Sequence, residues 1–124
     1  MRPFRYLRPA DEAAAIEAVA TEPGAAFIGG GTGLVDLMKL DVQSPALLVD
    51  VRALGGARGD SGDSGESVVE TADGLRIDAR ARNSDVARHP LIAAGYPALS
   101  EALLAGASPQ LRNMATVGGN LMQR

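Results

Sequence analysis

A cluster of glycines is the feature of this sequence with the clearest chemical use. Gly29-Gly30-Gly31-Thr32-Gly33 lies between an apolar run that ends at Ile28 and an amphipathic segment that starts at Leu34. Without a Cβ atom, glycine lets a ligand approach the backbone closely, and successive peptide N–H groups can surround an anion. The stretch predicts a strand, a tight turn and a helix, with phosphate or pyrophosphate as the ligand. A tight connection that binds nothing is the alternative.

A second glycine-rich segment lies near the end of the sequence. Gly118-Gly119-Asn120 follows Ala115-Thr116-Val117, a pattern that predicts a short strand and then a sharp turn. Alone, this pattern is more typical of a bulge or bend than of a binding site. Two glycine-rich turns, each with a neighbouring threonine, together predict a large phosphorylated ligand that is held from two sides.

Neither of the common phosphate-binding motifs fits the first turn. A P-loop ends in Gly-Lys-Ser/Thr, whereas this turn ends in Thr32-Gly33-Leu34. A dinucleotide-binding turn needs a third small residue where this sequence has Leu34, although Asp50 falls near the position of that motif's acidic residue. The sequence therefore predicts a phosphate loop of another type.

Composition limits the function classes. The 124 residues carry a formal net charge of -3 and no cysteine, and 46% of them are hydrophobic. An acidic chain lacks the basic footprint of a nucleic-acid-binding domain. The absence of cysteine excludes disulfides, thiolate-ligated clusters and a cysteine nucleophile. The one histidine, His89, is interpreted as structural or exposed. No secretory signal or membrane-spanning run is visible, which favours a cytoplasmic protein.

The elements that must position the first turn alternate between strand and helix. Strands are predicted at 4–7, 25–28 and 47–51, with helices between them, and this order indicates a small parallel sheet. Asp11 is the expected N-cap of the first helix. The expected buried stripes are Ile16, Val19 and Ala20 on the first helix and Leu34, Leu37, Met38 and Leu40 on the second.

The pattern changes after residue 54. Residues 55–66 are rich in glycine, serine and charge and predict a flexible loop. Two short strands then flank Ala72-Asp73-Gly74, which predicts an antiparallel hairpin. Two helices are expected to follow: one capped by Ser84 that ends near His89, and one from Pro97 to Gly106 with a buried stripe of Leu99, Ala102 and Leu103.

The two glycine-rich segments resemble the FAD-binding motifs in the flavin subunit of molybdenum hydroxylases, the family of xanthine dehydrogenase, carbon monoxide dehydrogenase and bacterial aldehyde oxidoreductases. The similar stretches are 27–34 and 112–121, together with Met1-Arg2-Pro3-Phe4, Asp36-Leu37-Met38-Lys39 and Arg82-Asn83-Ser84-Asp85.

The resemblance covers almost the whole sequence apart from residues 55–66. It implies an α+β fold of the vanillyl-alcohol oxidase (FAD-binding PCMH) type. Residues 1–54 would form a parallel α/β subdomain. Residues 67–124 would start an antiparallel-sheet subdomain that is truncated relative to the family, and FAD would lie between the two.

The resemblance also implies which residues bind FAD. The first motif would hold the pyrophosphate, and the second would hold the diphosphate and ribityl chain and approach the flavin. Gly106 stands where some members have a larger residue, which leaves more room. No catalytic or metal-ligating residue is expected in this chain. The implied FAD-binding residues are Ile28, Gly29, Gly30, Gly31, Thr32, Gly33 and Leu34 in the first motif, and Gly106, Ala107, Asn113, Thr116, Gly118, Gly119 and Asn120 in the second.

The implied function is electron transfer within an oxidoreductase. In the family, electrons from a molybdopterin subunit pass through [2Fe-2S] clusters of a small subunit to FAD, which reduces NAD or another acceptor. The molybdenum-cofactor subunit and the [2Fe-2S] subunit are therefore the expected partners, with no nucleic acid and no membrane. The alternatives are a truncated non-catalytic module that acts only in assembly, and another flavoprotein of the same superfold, against which the segment 112–121 argues.

Overall fold

A computed structural model describes residues 1–54 and 67–123. The chain divides into two compact units, residues 1–65 and 66–124, each with its own hydrophobic cluster. The flexible loop predicted at 55–66 lies outside the described residues. Within the described parts of the chain, no helix is both long enough and apolar enough to cross a membrane.

The first unit is a three-stranded parallel sheet with two helices. Its elements are β1 (Arg5–Leu7), α1 (Glu12–Thr21), β2 (Ala25–Ile28), α2 (Leu34–Lys39) and β3 (Leu47–Asp50). The strand order is β1-β3-β2, and Leu48 of the central strand pairs with Tyr6 on one side and Ala26 on the other. Every residue of β3 is buried, as its continuous apolar run predicts for a strand covered on both faces.

Helix α1 begins at the predicted cap but buries a different stripe. The side chain of Asp11 accepts a hydrogen bond from the peptide nitrogen of Ala14 at 2.8 Å, which confirms the N-cap. Ala15 is buried against the sheet and Val19 packs beside it. Because Ala15 faces the sheet, the adjacent Ile16, about 100° further round the helix, lies on the side away from it, and Ala20 lies one turn beyond Ile16 on that side. The residues wrongly predicted to be buried are Ile16, which is 64% exposed, Ala20 and, beyond α2, Leu40.

The second unit begins with an antiparallel hairpin and continues as short helices. Its elements are β4 (Val68–Thr71), β5 (Gly74–Ile77), α3 (Asn83–Arg88), α4 (Pro90–Gly95), α5 (Pro97–Ala105), α6 (Pro109–Arg112) and α7 (Val117–Leu121). Val68 pairs with Ile77 and Thr71 with Gly74, so the predicted hairpin is confirmed. The core joins Val68 of the hairpin to Val86 and Ile92 of the helices. The predicted α+β fold class is confirmed.

The buried face of α5 differs from the prediction. Leu103 packs against the core as expected, but Leu99 and Ala102 are exposed. Ser100, one turn before Leu103, is buried instead and donates its hydroxyl to the carbonyl oxygen of Ala87 at 2.6 Å. Apolar spacing missed this face because a serine can be buried once its hydroxyl has a partner.

The caps of α3 and α4 also differ in part. The N-cap of α3 is Arg82, so the prediction of Ser84 as the cap is wrong, and Ser84 lies in the first turn. The helix ends at His89 as predicted. The Nδ1 atom of His89 then accepts a hydrogen bond from the peptide nitrogen of Leu91 at 3.3 Å at the start of α4. His89 therefore has a structural role, which is one of the two alternatives that the sequence left open.

Candidate functional site

The first glycine turn keeps its peptide N–H groups free. From Gly29 to Leu34, no peptide N–H has an acceptor among residues 1–54 and 67–123. The carbonyl oxygen of Gly31 is used, since it accepts from the nitrogen of Val35 at 3.0 Å as α2 begins. All residues of the turn are half-buried. The turn is thus a partly enclosed row of hydrogen-bond donors, which suits an anion with several oxygen atoms.

Gly31 is the position in this turn where the backbone requires glycine. Its φ is +76°, in the left-handed region that side chains disfavour. A Cβ atom there would lie 3.2 Å from Cγ2 of Val35 and 3.4 Å from Cδ1 of Ile28. A side chain at this position would therefore be strained and crowded, and the shape of the turn depends on its absence.

A cluster of charged groups lies at the same edge of the sheet as this turn. Asp50, at the end of β3, is in register with Ile28 and only 3% exposed. Arg52 donates to its carboxylate from Nε at 3.0 Å and from Nη2 at 2.7 Å, and the Tyr6 hydroxyl also donates to it. The peptide nitrogen of Arg52 supplies a further bond at 2.9 Å. Because the acceptor positions of Asp50 are occupied, it is not free to bind a ribose hydroxyl as its sequence position suggested.

The cluster carries an excess of positive charge. Burial tends to raise the pKa of Asp50, but the hydrogen bonds from Arg52 and Tyr6 outweigh it and lower that pKa to about 2. The Nε atom of Arg8 lies 3.7 Å from the same carboxylate. The carboxylate raises the pKa of Arg52, and the interaction with Tyr6 raises the pKa of Arg8. Two guanidinium groups therefore share one carboxylate, which favours an anion near this edge.

The same local arrangement occurs at the end of β5 in the second unit. Arg80 donates to Oδ1 of Asp78 from its peptide nitrogen at 2.8 Å and from Nε at 2.9 Å. In each unit an aspartate at the end of a strand binds the backbone and the guanidinium of the arginine two positions later, which closes a local ring. The Asp-x-Arg spacing is visible in the sequence as a signal for this arrangement, although it was not among the predicted features.

The second glycine-rich segment is the start of a helix. The strand predicted at 115–117 is wrong: only an isolated bridge between Arg82 and Thr116 is present, and α7 begins at Val117. The Oγ1 atom of Thr116 accepts a hydrogen bond from the nitrogen of Gly119 at 3.2 Å and caps the helix. The prediction failed because paired glycines disfavour a helix, and here tertiary contacts override that preference.

The peptide N–H groups at the start of α7 donate within the protein. The nitrogens of Val117 and Gly118 donate to the carbonyl oxygens of Ala81 and Ala79 at 2.9 and 2.7 Å. A Cβ atom on Gly118 would lie 3.0 Å from that oxygen of Ala79. Glycine therefore allows the helix to lie directly against the chain that follows the hairpin. A ligand at this segment would meet side chains such as the exposed Asn120 rather than free peptide donors.

The connection between α5 and α6 has an unusual backbone. Gly106 ends α5 as predicted, and Ala107 follows with a φ of +53°, which is uncommon for a residue other than glycine. The Nη1 atom of Arg112 lies 2.9 Å from the carbonyl oxygens of both Gly106 and Ala107. Arg112 was not among the predicted FAD-binding residues, because nothing in the local sequence pattern connects it to Ala107.

The structure places the predicted FAD-binding residues in three groups. The first unit contains Ile28 to Leu34 as one continuous turn. The second unit contains Gly106 and Ala107 before α6, with the exposed Asn113 at the end of that helix. Its last group, Thr116 to Asn120, forms the cap and first residues of α7. Among the described residues, no three His, Asp or Glu side chains are arranged to hold a metal ion.

Known proteins match the chain along its length. The family model described as the FAD binding domain in molybdopterin dehydrogenase matches residues 2–124. The chain is 48% identical over 124 residues to the aldehyde oxidoreductase FAD-binding subunit PaoB of Escherichia coli (strain K12), with 100% of this chain and 36% of the relative covered. It is 33% identical over 97 residues to the carbon monoxide dehydrogenase medium chain of Hydrogenophaga pseudoflava, with 78% of this chain and 31% of the relative covered.

Solved structures of similar fold point to the same family as these relatives. Carbon monoxide dehydrogenase from Hydrogenophaga pseudoflava, in a form that lacks the Mo-pyranopterin moiety of its molybdenum cofactor, gives a TM-score of 0.83 at 29% identity over 98% of this chain and 40% of that one. Quinoline 2-oxidoreductase from Pseudomonas putida 86 gives a TM-score of 0.83 at 28% identity, with 97% of this chain and 39% of that one covered. The chain thus spans less than half the length of these relatives. The resemblance identified in the sequence is confirmed: the chain belongs to the family of FAD-binding domains in molybdopterin dehydrogenases.

Proposed function

We infer that this chain is the FAD-binding part of the flavin subunit of a molybdenum hydroxylase. The observation that carries the proposal is the row of peptide N–H groups from Gly29 to Leu34, which find no acceptor among the described residues. A pyrophosphate supplies both the negative charge and the several oxygen atoms that such a row can bind. The family to which the chain belongs supports FAD as the molecule that brings this pyrophosphate.

Each group of residues has a distinct task in this proposal. The turn from Gly29 to Gly33 holds the pyrophosphate, with Ile28 and Leu34 on its flanks. Gly106 and Ala107 approach the ribityl chain and flavin. Bound FAD supplies the electron-transfer chemistry, while the residues of the chain bind and orient it. Asn113, Thr116, Gly118, Gly119 and Asn120 belong to the same second motif, which also holds the diphosphate.

The proposal extends to the whole enzyme and to the division of the chain. Residues 1–54 and 67–124 form two FAD-binding subdomains joined by residues 55–66. Electrons reach FAD from [2Fe-2S] clusters in one partner subunit, a second partner carries the molybdenum cofactor, and NAD or another compound accepts the electrons. Two relatives are named as a FAD-binding subunit and a medium chain, which supports a multi-subunit enzyme. We place this enzyme in the cytoplasm.

A retention experiment tests the central claim. The purified chain is mixed with FAD or, in parallel, with riboflavin, which carries the same ring system without phosphate. Each sample is desalted and its visible flavin absorption is measured. We expect FAD to be retained and riboflavin to be lost, because pyrophosphate binding to the first turn supplies much of the affinity. Loss of both ligands, or equal retention of both, would contradict the proposed role of the turn.

A further inference from the structure

The connection between α5 and α6 is held by one side chain. Nη1 of Arg112 lies 2.9 Å from the carbonyl oxygen of Gly106 and 2.9 Å from that of Ala107. The Nε atom of Arg112 is buried without a hydrogen-bond partner. The two bonds from Nη1 to the backbone therefore account for the position of this guanidinium group.

The geometry of the peptide bond determines where the donors of this connection point. In a trans peptide the N–H lies opposite the C=O to which it is joined. With the carbonyls of Gly106 and Ala107 turned toward Arg112, the N–H groups of Ala107 and Ser108 are turned away from it. Neither N–H has an acceptor among the described residues, and Ala107 and Ser108 are both exposed.

The left-handed backbone of Ala107 joins these two peptides. A φ of +53° is unfavourable for alanine, and it persists only when surrounding contacts hold it. Two hydrogen bonds from a charged guanidinium group are such contacts, because charge-assisted bonds are among the stronger ones in proteins. The guanidinium also polarises the two peptides, which makes their N–H groups better donors.

From this geometry we propose that Arg112 is a positioning residue that presents the N–H groups of Ala107 and Ser108 as a pair of hydrogen-bond donors to an oxygen atom of the bound flavin nucleotide. The inference rests on the proposed function. It adds Arg112 and Ser108 to that site and gives Ala107 a specific role. Arg112 does not touch the ligand, and it acts by arranging the backbone in advance, which lowers the cost of binding.

Nuclear magnetic resonance of the ¹⁵N-labelled 124-residue chain tests this arrangement directly. FAD is titrated into the wild-type protein, and the amide resonances are followed. We expect the resonances of Ala107 and Ser108 to move downfield together with those of the turn from Gly29 to Leu34. This measurement needs no variant, so it decides the question even if a substitution at Arg112 prevents folding.

Variants then separate positioning from general stability. Arg112→Met removes the donors and is expected to weaken FAD binding by about tenfold. Adding Ala107→Gly is expected to recover part of that loss, because glycine adopts the left-handed conformation without help. Arg88→Met is the matched control, since Arg88 donates to a backbone carbonyl, that of Ser84 at 3.5 Å, within its own helix. Circular dichroism checks that each variant is folded.

The outcomes distinguish this inference from the proposed function. If the resonances from Gly29 to Leu34 respond to FAD while those of Ala107 and Ser108 do not, the role of Arg112 is wrong and the proposed function stands. Unchanged FAD affinity in a folded Arg112→Met variant would also overturn the inference. If no resonance responds to FAD, the proposed function and the inference fail together.

Discussion

In the first glycine-rich segment the peptide N–H groups from Gly29 to Leu34 have no acceptor among the described residues. In the second, the N–H groups of Val117 and Gly118 donate to backbone carbonyls and that of Gly119 donates to Thr116. Similar residues thus serve different physical purposes. In the first segment glycine exposes the backbone, and in the second it lets two pieces of backbone touch.

The difference shows how the absence of a side chain should be interpreted. A missing Cβ atom creates room, and the surrounding structure decides what fills it. Around Gly118 the room is filled by Ala79, whose carbonyl oxygen is already within hydrogen-bond distance of the glycine nitrogen. Around Gly29 to Gly33 no described residue accepts a bond from the backbone, so the donors stay open to a ligand.

The largest expected effect comes from placing a side chain at Gly118, in the second glycine-rich segment. Gly118→Val would push α7 away from Ala79 and break the bond to its carbonyl oxygen, so we expect a loss of about 3 kcal/mol in the free energy of unfolding. Urea denaturation followed by circular dichroism measures it. Gly95→Val is the control, because a Cβ atom at Gly95 would meet nothing within 4 Å. Equal stability of the two variants would contradict the packing role of Gly118.

A side chain at Gly30, in the first glycine-rich segment, should impair FAD binding rather than folding. Gly30→Val is expected to weaken FAD binding by about a hundredfold, close to 2.7 kcal/mol, while the free energy of unfolding changes by less than about 1 kcal/mol. Gly119→Val should also lose the flavin, but through folding, since a Cβ atom there would lie 2.9 Å from Oγ1 of Thr116. Fluorescence titration with FAD measures both affinities. If both variants keep full FAD affinity, the proposed site is wrong.

Low pH should reduce the stability of the first unit, which contains the turn from Gly29 to Leu34. Because Asp50 has a pKa of about 2, below its ordinary value of 3.8, its contribution to stability is fully present above about pH 4 and is lost as the pH falls toward 2. Linkage gives about 2 kcal/mol for the complete loss. The free energies of unfolding measured by urea denaturation at about pH 5 and about pH 2.5 should differ by more than half of this amount. Asp50→Asn should remove this part of the pH dependence, and an unchanged dependence would exclude Asp50 as its source.

The smallest effect is expected at the cap of α7. Thr116→Val keeps the size of the side chain but removes the oxygen that accepts from Gly119, so we expect a loss of about 1 kcal/mol in the free energy of unfolding. Ser108→Ala, at the matching cap of α6, should cost about half as much because that cap is exposed. Thermal unfolding compares the two. A neutral Thr116→Val would show that the packing of Gly118 alone holds the helix in place.

The features that could be predicted from the sequence are those with a local cause. The cap at Asp11, the hairpin around Asp73-Gly74 and the end of α5 at Gly106 each depend on a few neighbouring residues. The parallel sheet was also predictable, since a continuous apolar run at 47–51 indicates a strand covered on both faces.

The wrong predictions concern local structure that depends on residues far away in the sequence. Ile16 and Ala15 are adjacent on α1, and only the position of the sheet determines that Ala15 is the buried one. The start of α7 depends on the carbonyl oxygens of Ala79 and Ala81. The position of Ala107 depends on Arg112, across the length of α6. None of these partners is visible in a local pattern.

By itself, the sequence determined the order of strands and helices in residues 1–54, the hairpin that follows, the presence of two glycine-rich segments and the family to which they point, because these follow from periodicity, turn chemistry and motif. Only the tertiary structure decided which glycine backbone stays open. Hydrogen-bond donors are satisfied by whatever folding brings near, and folding brings the carbonyls of Ala79 and Ala81 to the start of α7 but no described acceptor to the turn from Gly29 to Leu34.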